Sequence, residues 1–185
     1  AGKTTLMYVL RDDNVLKNPS IQSPAPEEVM VGKIKIWTID IGGCSESRYV
    51  WKKYYQKVDA VVFLVDTVYK KRFPEVKKEL NFLLNDFQLK DTPFLILANK
   101  IDQPGATREE DLKAELGLEY LKSENLNSNN PPCRPFALFM CSVIRKIGYG
   151  DGFRWLARFL QHIFMLKLSE QKGIFQVRAF FFFLI

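Results

Sequence analysis

The amino-acid sequence predicts an α/β fold built on a mainly parallel sheet with helices on both faces. Two observations carry that reading. Short, continuously apolar runs recur along the chain, of the kind that strands buried on both faces require. Stretches with helical periodicity lie between them, and that alternation belongs to a parallel sheet.

Each element has its own signal. Glu28–Val31 and Ile34–Asp40 (IKIWTID) flank Gly32-Lys33, which predicts a hairpin. Val58–Asp66 (VDAVVFLVD) predicts a strand. Pro74–Asn85 opens with a proline, tolerated at a helix start, and sets Val76, Leu80, Leu83 and Leu84 on one face. Pro93–Ala98 (PFLILA) is the next strand. Thr107–Leu116 begins with a threonine followed three residues later by Glu110, a capping pattern that predicts another helix. Pro135–Ser142 (PFALFMCS) predicts a further strand. Gly150–Leu168 then spaces Phe153, Leu156, Leu160, Ile163 and Phe164 as one helical face.

Two segments stand outside the alternation. Lys122–Arg134 is polar and carries a double proline, which predicts a surface loop or insertion. Gln171–Ile185 is basic and then reads FFFFLI, with strand propensity and no polar face. Left exposed, such a run promotes aggregation.

Composition limits the function classes. At 185 residues the chain has the length of one domain and should bury roughly 70% of its unfolded surface. Hydrophobic residues at 47% and charged residues at 26% exclude wholesale disorder. The longest apolar run, Ala179–Ile185, falls well short of the ~20 residues of a membrane-spanning helix. Three cysteines supply neither a disulfide framework nor metal-ligand spacing, so a reducing compartment is expected. The net charge of +6 favours anionic partners, either a phosphate-bearing ligand or an acidic membrane surface.

Four motifs carry chemistry. Ala1-Gly2-Lys3-Thr4-Thr5 matches the end of a phosphate-binding loop, G-x-x-x-x-G-K-[ST]. There a glycine lets the backbone close around phosphates, a lysine meets the β and γ oxygens, and a hydroxyl holds Mg2+. The amides of Lys3, Thr4 and Thr5 would lie at a helix N-terminus, which favours anions. Alone, this string is also an ordinary helix start. Asp40-Ile41-Gly42-Gly43 follows a strand: a carboxylate there can hold a metal through water, and a glycine can bring its amide against a terminal phosphate. In isolation it is equally a strand and a tight turn. Asn99-Lys100-Ile101-Asp102 directly follows the Pro93–Ala98 strand, at the edge where parallel sheets bind ligands. Asp102 can accept two hydrogen bonds from guanine N1–H and its 2-amino group, which adenine does not offer. Asn99 would tie neighbouring loops, and the Lys100 stem would lie over the base. Cys141-Ser142-Val143 follows the next strand and would offer backbone amides to the guanine oxygen.

In this order the four motifs resemble the small GTPases of the Ras superfamily, with the P-loop NTPase fold. DIGG followed by Ser47–Tyr55 (SRYVWKKYY), Phe63–Thr67 (FLVDT), Ile96–Asp102 (ILANKID) and Phe139–Phe159 (FMCSVIRKIGYGDGFRWLARF) resemble the Arf/Sar family. The GYGDGFRW string points to its Sar-type branch rather than to the Arf type. The resemblance spans roughly Gly2 to Phe159. It implies a GTP/GDP switch with Mg2+, in which Gly2, Lys3, Thr4, Thr5, Asn99, Lys100, Asp102, Ser142 and Val143 bind nucleotide. It further implies Thr4, Asp40 and Ser20 on the metal side and Gly43 against the γ-phosphate. Ser20 holds that position if one residue is inserted before Pro24; otherwise it falls on Ile21, which cannot bind Mg2+. The implied setting is cytoplasmic and peripheral on endoplasmic reticulum and Golgi membranes. The implied partners are a membrane-bound exchange factor and the inner COPII coat proteins, with no nucleic acid.

The chain departs from the family pattern in three places. Cys44 stands where Sar-type proteins carry a water-orienting histidine, and a thiol is a short, weak hydrogen-bond group, so very slow intrinsic hydrolysis is expected. A GTP-binding pseudo-GTPase or interaction module with little hydrolysis is the alternative. The first strand and the front of the phosphate loop are expected to be missing ahead of Ala1, leaving residues 1–168 as an incomplete Ras-like domain and 169–185 as an atypical tail. That tail is either the product of an intron or frame error, or Ile174–Ile185 fills the vacant strand position.

Overall fold

The computed structural model describes residues 1–13, 27–31, 34–41, 52–53, 55, 58–119, 135–167 and 175–183. Among them lie strands β1 (Glu27–Val31), β2 (Ile34–Ile41), β3 (Ala60–Asp66), β4 (Phe94–Asn99), β5 (Phe136–Met140) and β6 (Phe175–Phe183). The helices are α1 (Lys3–Asp13), α2 (Phe73–Leu84), α3 (Glu109–Leu116) and α4 (Tyr149–Lys167). The expected hairpin is present as the antiparallel pair β1–β2, with Val31 opposite Ile34. Every other strand pair is parallel.

The sheet order is β1-β2-β6-β3-β4-β5. The carboxyl-terminal strand therefore lies in the sheet interior, not at its edge. β6 runs parallel to β2 from Ile34↔Phe175 to Ile41↔Phe182, and parallel to β3 from Ala60↔Ala179 to Leu64↔Phe183. Of the two readings open for the tail, the structure has the one in which it fills a strand position. Its phenylalanines carry strand propensity, and the register seats them between β2 and β3.

The alternation of β3 and β4 builds two cores. Ala60, Val62, Leu64, Leu95 and Leu97 face α1 and α4, packing on Leu6, Leu10, Phe153, Leu156 and Leu160. Val61, Phe63, Val65, Phe94 and Ile96 face α2 and α3, packing on Val76, Leu80, Leu83, Leu112 and Leu116. Because each of these strands is buried on both faces, its sequence reads as an unbroken apolar run.

Two local details matter for the site. Pro74 sits in the first turn of α2, as its position in the sequence predicts. Thr107, by contrast, does not cap α3: the N-cap is Arg108, without a side-chain cap bond. The Thr107 hydroxyl donates instead to the Thr67 carbonyl at 2.8 Å. That bond ties Thr107 to the loop after a neighbouring strand, one residue ahead of the N-cap position.

Candidate nucleotide-binding site

Parallel strands place their carboxyl ends along one edge, and the residues singled out by sequence collect there. β4 ends at Asn99, which is 3% exposed. Its Nδ2 donates to the Ala1 carbonyl at 2.9 Å, in the string that matches the end of a phosphate-binding loop. Its Oδ1 accepts the Val143 amide at 2.9 Å, in the loop after β5. The Cys141 thiol also approaches this Oδ1, at 3.9 Å. Burial pushes that thiol up to about 12, so it remains a neutral donor. The carboxamide thus donates to one loop while accepting from the other. The Asn99 carbonyl accepts from the amide and the hydroxyl of Thr67, at 3.0 and 2.9 Å.

Asp102 faces the loop after β5. Its Oδ1 accepts the Ser142 hydroxyl at 2.5 Å and its Oδ2 accepts Gln103 Nε2 at 3.1 Å. The Ser142 hydroxyl holds the carboxyl below the usual carboxylate range. The Asp102 amide, Gln103 and the Arg145 charge add to this against the opposing pull of burial. A carboxyl with a lowered pKa stays ionised down through mildly acidic pH, and protonation removes its acceptor role only below its ordinary range. Ser142 is itself held by the Ser142–Ile147 bridge, with bonds of 2.9 and 3.0 Å, while its Oγ accepts the Arg145 amide at 3.1 Å. Gly148 closes this loop at φ +82°, where an added Cβ would stand 2.2 Å from the Met140 carbonyl oxygen. No other residue fits.

The phosphate-loop side begins at Gly2, with φ +95°. A Cβ there would lie 2.6 Å from Asn99 Nδ2, so glycine permits the contact between the two loops. The Leu6 amide makes the first helical bond to the Gly2 carbonyl at 2.9 Å. The amides of Lys3, Thr4 and Thr5 precede that bond and point out of the helix, as an anion site requires. Thr4 and Thr5 are exposed. Asp40 lies one residue from the end of β2, opposite Phe181 of β6. For Lys3 and Asp40 the structure places the backbone alone. Ser20, Gly43 and Cys44 lie outside the described residues.

Reasoning from motifs missed three residues at this edge. Asp66 ends β3 beside Asn99 and pairs with Lys100 Nζ at 2.5 Å. Thr67 and Thr107 link the ends of β3 and β4 to the start of α3. A signal was available for Asp66: it is a polar residue ending an apolar strand, in register with Asn99.

Residues 1–160 match the family model described as the ADP-ribosylation factor (Arf) family. The chain belongs to the Arf family of small GTPases. The "Small COPII coat GTPase SAR1" of Nicotiana tabacum is 40% identical over 168 residues, covering 87% of this chain and 85% of that protein. The protein of the same name from Giardia intestinalis is 37% identical over 161 residues, covering 86% and 84%. Among solved structures, the Arl6 BBS3 small GTPase of Trypanosoma brucei with bound nucleotide analogue GppNp superposes with a TM-score of 0.70 at 27% identity. It covers 87% of this chain and 91% of that one. The Ras-like fold and the Arf/Sar resemblance expected from the motifs are thereby shown, and a GTP-binding switch is the function that this family supports.

Proposed function

We propose that this chain is a Sar-type GTPase that switches COPII coat assembly during export from the endoplasmic reticulum. The observation carrying this reading is the position of Asn99, which ties the phosphate loop to the base loop and sets Asp102 beside it. The SAR1 relatives support the coat assignment.

The roles follow from chemistry. The forward-pointing amides of Lys3, Thr4 and Thr5 receive phosphate oxygens, and the Lys3 ammonium adds charge at the β and γ positions. Asp102 accepts guanine N1–H and the 2-amino group, and the Lys100 stem covers the base. The Val143 and Ser142 amides, expected from the sequence to meet the guanine oxygen, are instead taken up by Asn99 Oδ1 and the Ile147 carbonyl. Thr4, Asp40 and Ser20 would supply an oxygen-only donor set. The exposed hydroxyl of Thr4 in the first turn of α1 and the edge position of Asp40 suit a hard cation that keeps several waters. Bound Mg2+ would neutralise charge on the β and γ oxygens. Gly43 would meet the γ-phosphate, so its presence or loss orders or releases the adjoining loop.

Cys44 replaces the residue that orients the attacking water, so coat release is expected to be slow. No helix among the described residues is long and apolar enough to cross a membrane. A peripheral association with the endoplasmic reticulum, through a membrane-bound exchange factor, is the corresponding setting; a Golgi location is part of the same reading.

One vesicle-binding experiment tests the proposal. The chain loaded with GTP is expected to retain purified inner COPII coat proteins on anionic vesicles, whereas the GDP-loaded chain does not. Release should follow hydrolysis and accelerate by roughly tenfold or more in Cys44→His, the scale on which positioning of a reacting group acts. Equal retention in both nucleotide states contradicts the coat reading, and an unchanged release rate contradicts the role of Cys44.

A further inference from the structure

We propose that Asp66 is a positioning residue that sets how long bound nucleotide stays, by holding the Lys100 side chain in place before the base arrives. The inference rests on the guanine-nucleotide reading of the site. Lys100 is fixed from both ends. Its backbone has φ +75°, a conformation that non-glycine residues rarely adopt. Its ammonium sits 2.5 Å from Asp66 Oδ2.

The carboxylate is equally well held. Asp66 ends β3 in register with Asn99, and its Oδ1 accepts the amides of Val68 and Tyr69 at 3.0 and 3.3 Å. The side chain is 18% exposed, against 37% for Lys100, so the pair is shielded more than a surface ion pair. Burial pushes the Asp66 carboxyl up. The Lys100 ammonium and the Val68 amide pull it further down, leaving it below the usual carboxylate range and ionised at neutral pH. Thr67, the next residue, binds the Asn99 carbonyl twice, so any shift of Asp66 is transmitted to the strand end that carries Lys100.

A free lysine samples many rotamers, and ordering it on binding opposes affinity. Here the four-carbon stem is already stretched between its strained backbone and a fixed anion. A base arriving beside Asp102 meets a stem in position. Asp66 touches neither base nor phosphate in this account; it acts through Lys100.

The test separates positioning from mere structural support. In Asp66→Asn, the amide oxygen can still accept from Val68 and Tyr69 while the charge facing Lys100 is lost. Dissociation of a fluorescent guanosine diphosphate from the full chain, in Mg2+, is measured for wild type, Asp66→Asn, Lys100→Met and the double variant. We expect Asp66→Asn to speed release about fivefold, and to have no further effect on top of Lys100→Met. An acceleration of equal size in both backgrounds means a structural role and overturns the proposal, as does unaltered release in Asp66→Asn. Thermal melting checks folding, and Asp66→Ser replaces Asp66→Asn if the latter does not fold. Failure of the wild-type chain to bind the probe at all overturns the nucleotide reading itself, whereas binding with a flat response to Asp66→Asn overturns this inference alone.

Discussion

A chain ending at Glu170 is expected to lose its cooperative thermal transition. Truncation there removes β6, which is hydrogen-bonded to β2 on one side and to β3 on the other. β1 and β2 then have no sheet to join. β3, whose residues Ala60–Val65 are 0% exposed, gains a bare edge. The stability of a domain of this size is only about 5–15 kcal/mol, and each apolar side chain returned to water costs ~1.5–3 kcal/mol. The loss of a central strand therefore matches or exceeds the total. Circular dichroism melts of the full and truncated chains check this; an unchanged melting temperature would exclude a structural role for Phe175–Phe183. Nucleotide binding should disappear with the fold, because Asp40 and Asp66 reach the site edge on the two strands that β6 joins.

The second large effect falls on base choice. Asp102→Asn is expected to weaken guanine nucleotides on the order of a hundredfold and to raise affinity for xanthine nucleotides. The carboxylate accepts two hydrogen bonds from guanine. The amide accepts one and presents a donor to the other, which matches xanthine, where a carbonyl replaces the 2-amino group. Hydrogen bonds to a charged group contribute ~1.5–3 kcal/mol, and each 1.4 kcal/mol is about tenfold in affinity. The carboxamide oxygen of the Asp102→Asn variant can still accept the Ser142 hydroxyl, so the loop after β5 should keep its form. Competition between GDP and xanthosine diphosphate reads the outcome directly, and unaltered guanine affinity would remove Asp102 from base recognition.

Much of the fold was legible because local chemistry determined it. Two-faced burial of β3 and β4 leaves an uninterrupted apolar signature, Gly32-Lys33 marks the hairpin, and Pro74 marks a helix start. The cluster proposed to recognise the base was equally legible as a cluster: Asn99, Lys100 and Asp102 lie within four positions of one another, and the structure joins Asn99 to Val143 and Asp102 to Ser142 by hydrogen bonds.

What escaped depends on distant partners. The Phe-rich end carries strand propensity, but propensity does not say which neighbours a strand will find, so its central place was only one of two readings. Thr107 has the sequence of a helix cap, yet its hydroxyl serves Thr67, forty residues away. Asp66 lies in the FLVDT string that carries the family resemblance, but nothing in that string names its partner Lys100, far along the chain.

Displacement of a fluorescent guanosine diphosphate from the full chain in Mg2+ by unlabelled nucleotides tests the central claim most directly. GTP and GDP are expected to displace the probe at concentrations at least about a hundredfold below those of ATP and ADP, as two charge-assisted hydrogen bonds to guanine require. Equal displacement by adenosine nucleotides, or no binding of the probe, would contradict it.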